Sequence, residues 1–142
     1  MTRPRGWVNV DWHSRCDCRC VALSHHSLVA WQRADDLFIK VHLLCRTFPA
    51  IELYALSSQT RRAAYSVAAN IVEGFGRRTP RDRLHFLHLA EASLAELGYC
   101  LHAARRLGYI SEPTFNELEI DVKMAGAPLS GLIARLAQVR RV

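Results

Sequence analysis

The sequence predicts an all-α protein, an up-down-up-down antiparallel four-helix bundle, on three observations. Four stretches carry apolar residues at spacings of three and four, the joins between them are short and marked by Gly, Pro and capping residues, and one stretch, Ser57 to Arg78, is built mostly of small side chains. At 142 residues the chain is one domain's worth, long enough to bury a core without metal or disulfide staples. Two parts are expected, an N-terminal segment over 1–26 with little structure and a bundle domain over 27–142.

The segment 1–26 shows neither helical nor strand periodicity. Cys16, Cys18 and Cys20, with His13, His25 and His26, offer zinc-type ligands, but alternating cysteines lack knuckle spacing, so a plain tail outweighs a metal site. A further expectation is that the segment is upstream sequence and the natural start lies at a later codon near Val29, which intact mass of natively produced protein would check. Five cysteines, an odd number, do not read as a disulfide framework; Cys45 and Cys100 fall within apolar stripes.

The first helix is expected from Ser27–Trp31 to Thr47, with Trp31, Ala34, Phe38, Val41, Cys45 and Phe48 inward and Phe48-Pro49 as its end. The second begins around Tyr54–Ser58 and closes at Gly74 and Gly76. Its stripes Ala63, Val67, Ile71, Gly74 and Ala64, Ala68, Phe75 leave only a narrow polar edge, made of Gln59, Arg62, Ser66, Asn70, Glu73 and Arg77. Such a helix is expected at the centre of the bundle, its polar edge facing water or a second subunit. Glu73, on a helix otherwise committed to burial, needs a partner, with Arg62, Arg77 or an arginine from elsewhere available. Thr79 caps a third helix over Pro80–Leu107, with Pro80 at its first position and Asp82 at its third. Its inward residues are Phe86, Leu87, Ala90, Leu94, Leu97, Leu101 and Ala104, and Gly108 stops it. The fourth starts at the Ser111 cap and carries Phe115, Leu118, Val122, Ala125, Leu129, Leu132, Ile133 and Leu136. Gly126 and Pro128 interrupt it, and a kink is expected there.

Candidate chemistry is sparse. Asp82, His85, His88 and Glu91 lie three apart on the third helix, yet only Asp82 and His85 resemble a two-iron carboxylate-histidine pair and no second helix supplies the partner. No nucleophile motif and no phosphate loop is present. We therefore expect no enzyme activity, no cofactor and no metal. No apolar run spans a bilayer and no signal peptide is evident, so a cytoplasmic protein without membrane contact is expected. The basic excess, +6 with a pI near 9.4, is concentrated at Arg77, Arg78, Arg81 and Arg83 between the second and third helices. Arginines there suit phosphate recognition, with Arg61, Arg62, Arg105 and Arg106 as extensions. The plain alternative is a solvated turn.

The stretches LVAWQRADDL, FPAIELYALSSQTRRAAYSVAANIVEGFGRR and LHLAEASLAELGYCLHAARRLGYIS resemble the four-helix-bundle family encoded in intervening sequences of bacterial 23S ribosomal RNA genes, and are similar to the accessory proteins of diversity-generating retroelements. The resemblance covers about Leu28 to Leu136. Its most specific piece is Ala69 to Gly74, where the family usually has serine at the position of Ala69. It implies a ring, typically a homopentamer, with a basic surface, no established enzyme activity and a role in binding RNA or DNA, alone or with a nucleic-acid-processing protein. It would place the polar edge, Gln59 to Gly74, at the subunit boundary. The leading expectation is a non-enzymatic accessory factor that contacts the phosphate backbone. The competing ones are a protein-interaction scaffold without nucleic-acid binding and, third, a metal-binding bundle enzyme.

Overall fold

The structure is a computed structural model that describes residues 25–139. These residues form four α-helices: α1 (Val29–Leu44), α2 (Leu56–Gly76), α3 (Pro80–Arg106) and α4 (Glu112–Val139). Two short 3-10 turns, Cys45–Thr47 and Ala50–Glu52, make the α1–α2 connection, and the described residues contain no strand. Each helix packs against two others, α1 on α2, α2 on α3, α3 on α4 and α4 back on α1, while the backbones of the diagonal pairs stay apart. The pairs are antiparallel. The Ser57 hydroxyl donates to the Cys45 carbonyl at one end of α1–α2, Lys40 of α1 reaches Asp121 of α4 at 2.5 Å, and Arg105 of α3 meets Glu112 of α4 at 2.9 Å.

The expected stripe of α2 is the one that is buried. Ala63, Ala64, Val67 and Ile71 are at most 1 % exposed and face a core with Val41, Leu87, Leu97, Leu101, Leu118 and Leu129. Burying each large aliphatic side chain of this set contributes about 1.5–3 kcal/mol. Small residues on α2 let α3 approach closely. A Cβ added at Gly74 would stand 3.2 Å from Phe86 Cβ and 3.3 Å from the Arg83 carbonyl oxygen. The α3 start is built as its sequence dictates: Thr79 Oγ1 accepts from the Asp82 backbone N–H at 3.1 Å and donates to the Asp82 carboxylate at 2.7 Å, with Pro80 in the first turn. Ser111 Oγ accepts from Thr114 N at 3.4 Å at the start of α4.

Several expectations are corrected. Helix α2 is not central: it touches only α1 and α3 and leaves Tyr65 and Val72 exposed. Helix α1 ends at Leu44, and its last expected turn is 3-10. On α1 Ala30 and Leu37 are buried together with Ala34 and Val41, while Trp31 and Phe38, one residue on from Ala30 and Leu37, are only partly buried against the core. On α3 Phe86 is only partly buried, whereas Leu84 and Cys100, outside the expected stripe, are buried. On α4 only Leu118, Ala125 and Leu129 are buried, and Phe115, Val122, Leu132, Ile133 and Leu136 are half-covered. Helix α4 continues through Gly126 and Pro128 as a single element, as an expected kink also allows, with Ala125 and Leu129 buried on either side. Gly126 admits Leu94, whose Cδ2 would lie 3.3 Å from an added Cβ.

Before α1, His25 and His26 fold back onto Trp31. The His26 ring stacks on the indole at 4.7 Å, His25 meets it edge-on at 4.9 Å, and Gln32 Nε2 donates to the His26 carbonyl at 2.7 Å. The cysteines at 16, 18 and 20 and His13 lie outside the described residues; of the tail past Gln138, expected to fray, Val139 is the last residue of α4 and positions 140–142 lie outside the described residues. Burial, with the nearby His26, lowers the His25 pKa from its ordinary 6.5. The folded chain thus binds this proton less tightly than the unfolded chain, so the contribution is complete above pH 6.5 and is lost as pH falls toward the folded value. An imidazole NMR titration should give His25 a midpoint below 6.5; one at or above 6.5 would contradict the burial.

Candidate nucleic-acid interface

The four arginines singled out by the sequence flank the α2–α3 turn, and the structure gives them two different jobs. Arg77 forms an ion pair with Glu73 one turn back on α2, and its guanidinium lies 4.7 Å from the centre of the Phe86 ring. Arg83 Nε donates to the Arg77 carbonyl at 2.8 Å, tying the first turn of α3 to the end of α2. Arg78 and Arg81 are exposed and have no hydrogen-bond or ion-pair partner among the described residues. Two arginines therefore fix the corner and two project from it. Beside them a groove of about 650 Å³ is lined by Arg77, Arg78, Arg83, Glu73, Phe75 and His25. Thr79 and Asp82 already occupy the α3 N-terminus, so anion recognition here rests on the guanidinium groups.

Glu73 is paired, as expected, but half-exposed rather than buried. Other groups of the polar edge are also paired within the chain: Asn70 Nδ2 donates to the Ser66 carbonyl at 2.8 Å, and Gln59 Nε2 to Glu96 at 2.6 Å. The Arg62 guanidinium and the Ser66 hydroxyl on that edge lack a partner among the described residues. Gly74, the last residue of the Ala69–Gly74 signature, serves the α2–α3 contact described above.

The structure does not bring the extension arginines into the same patch. Arg62 lies fifteen residues before Arg77 on α2, about 22 Å along the axis, and Arg105 is about 33 Å from Arg83 along α3. Antiparallel packing puts Arg61, Arg62, Arg105 and Arg106 together at the opposite end. Arg61 Nε donates to the Ser57 carbonyl at 3.3 Å, and Arg105 pairs with Glu112 and covers the Phe115 ring at 4.7 Å.

The metal reading gains no geometry. Asp82 binds Thr79, His88 faces Glu91 at 3.6 Å, Glu91 accepts from Ser130 at 3.2 Å, and His85 packs edge-on to Phe86. Among the described residues no group of three or more His, Cys, Asp or Glu could hold a metal ion. Burial pushes the Cys45 thiol up to about 11 and raises Cys100 as well, so both stay protonated at neutral pH. No helix of the described residues is long and apolar enough to cross a membrane.

Sequence reasoning missed the contact between Tyr109 and Glu52, whose carboxylate accepts the phenol at 2.8 Å across 57 positions and raises the Tyr109 pKa. No local spacing encodes it. The Glu73–Arg77 pair, in contrast, follows from an i,i+4 spacing.

A family model described as 23S rRNA-intervening sequence protein matches residues 26–131. The fold is similar to the crystal structure of a protein of unknown function from the S23 ribosomal protein family of Bacteroides thetaiotaomicron. That likeness has a TM-score of 0.70 at 20 % identity over 75 % of this chain and 96 % of the other. No curated protein matches the chain.

Proposed function

Because the chain belongs to the 23S rRNA-intervening sequence protein family, we propose that it is a non-enzymatic, cytoplasmic, self-associating accessory protein that binds the phosphate backbone of RNA or DNA at the α2–α3 corner. The observation that carries this reading is the pair of exposed arginines Arg78 and Arg81, without partners among the described residues, beside the groove framed by Arg77 and Arg83. Their fork geometry suits phosphate oxygens, and the corner offers no stacked aromatic ladder for reading bases, so binding is expected to be salt-dependent and little concerned with sequence.

Self-association into a closed ring, with five subunits favoured, is the second part of the proposal. Ile39, Leu43, Ile120 and Met124 are about half-exposed on α1 and α4, more apolar surface than a lone bundle needs to show. Because Asn70 and Glu73 are already paired within the chain, these apolar positions are better candidates for the subunit boundary.

A mobility-shift titration with unrelated duplexes of RNA and DNA tests the binding. Affinity should fall steeply between about 50 and about 200 mM salt and vary little with sequence. Absence of binding at the lower salt would leave the interaction-scaffold reading, which the same exposed apolar residues favour.

A further inference from the structure

At the end of the bundle away from the Arg78–Arg81 corner, the Ala50–Glu52 turn and the two residues after it hold Ile51 at 85 %, Leu53 at 46 % and Tyr54 at 92 % exposure. Single exposed apolar residues need no explanation, but three in four positions on an ordered loop do. The loop is held by polar bonds, not by burial of these side chains. Glu52 accepts the Tyr109 hydroxyl at 2.8 Å with one carboxylate oxygen and the Leu56 backbone N–H at 3.1 Å with the other, while Ala55 N donates to the Glu52 carbonyl at 3.0 Å. Leu107, 56 % exposed, adds a fourth apolar group two residues before Tyr109.

The free charges around this tip are basic, since Glu112 at this end is already paired with Arg105 and Glu96 accepts from Gln59. Arg46, Arg62 and Arg106 are exposed there without a partner among the described residues, and Glu52, the loop's own carboxylate, is turned inward to its two donors. We propose that the Ile51–Leu53–Tyr54 tip is a docking site for a partner protein that presents an acidic segment with apolar anchors. A preformed loop costs little ordering entropy on binding, a tyrosine with aliphatic neighbours makes a desolvated centre, and the arginines form a rim that steers acidic side chains. Nucleic acid would meet the arginines but would leave Ile51 and Leu53 against charged backbone. This site is separate from the corner, so it stands or falls without the nucleic-acid reading.

The test uses a fluorescein-labelled synthetic helical peptide with leucines at every third or fourth position and glutamates elsewhere, followed by anisotropy with the full chain. Saturable binding is expected, weakened by about tenfold or more in Ile51→Ser/Tyr54→Ser and unchanged in Arg78→Glu/Arg81→Glu. Both tip residues are exposed, and an unchanged melting curve shows that the tip variant folds. The proposal is overturned by equal binding of wild type and tip variant, or by equal binding of a peptide with lysines in place of glutamates. It is also overturned if the tip variant splits the protein's own assembly in sedimentation, which would make a second copy the occupant, or if vesicles of anionic phospholipid compete the peptide off.

Discussion

Arg78→Glu/Arg81→Glu should lose at least about tenfold in affinity for duplex RNA or DNA, and the log–log salt dependence of what remains should flatten by about two. Each arginine that neutralises a phosphate releases condensed counterions, so removing two contacts removes two units of that dependence. Reversal to glutamate also sets like charges against the backbone. Neither residue has a partner to lose among the described residues, and exposed substitutions of this kind stay within about 0.5 kcal/mol of wild-type stability, which an unchanged denaturation midpoint confirms. Arg77→Glu is a poorer test. It breaks the pair with Glu73 and the contact with Phe86, mixing binding with structure.

Gly74→Val should destabilise the bundle by about 1–3 kcal/mol, read from chemical denaturation. The added Cβ meets Phe86 Cβ and the Arg83 carbonyl, neither of which can rotate away, so the start of α3 must shift and the arginine corner with it. Two other glycines serve as internal comparisons. At Gly126 the obstacle is the end of the Leu94 side chain, which can adjust, and at Gly98 nothing lies within 4 Å. Gly98→Ala should therefore stabilise by about 0.5–1 kcal/mol through helix propensity alone. Equal effects at positions 74 and 98 would mean that the close approach of α2 and α3 has been misjudged.

Much of the fold was legible because local chemistry decided it. Thr79, Pro80 and Asp82 specify a helix start wherever they occur, and the stripe Ala63, Val67, Ile71, Gly74 is apolar at one period only. The phase of α1 was less legible. Adjacent helical positions differ by about 100°, and the large rings of Trp31 and Phe38 point to a face one residue on from Ala30 and Leu37, which are the positions buried. The depth of α4 depends on neighbours, which no single stripe records. At the candidate site, the sequence marked the arginine cluster but not its division of labour. Arg83 is engaged by a backbone carbonyl, which has no sequence signature. The separation of Arg61, Arg62, Arg105 and Arg106 from the corner follows from antiparallel topology and helix length, so it could have been inferred.

The claim that the α2–α3 corner itself, and not overall positive charge, binds nucleic acid is tested most directly by comparing two double reversals in one mobility-shift series. Arg78→Glu/Arg81→Glu and Arg62→Glu/Arg106→Glu change the net charge equally, and all four residues are exposed without partners among the described residues. The corner variant should lose binding while the far-end variant keeps affinity close to wild type. Equal losses in the two variants would contradict the account and leave only a diffuse charge effect.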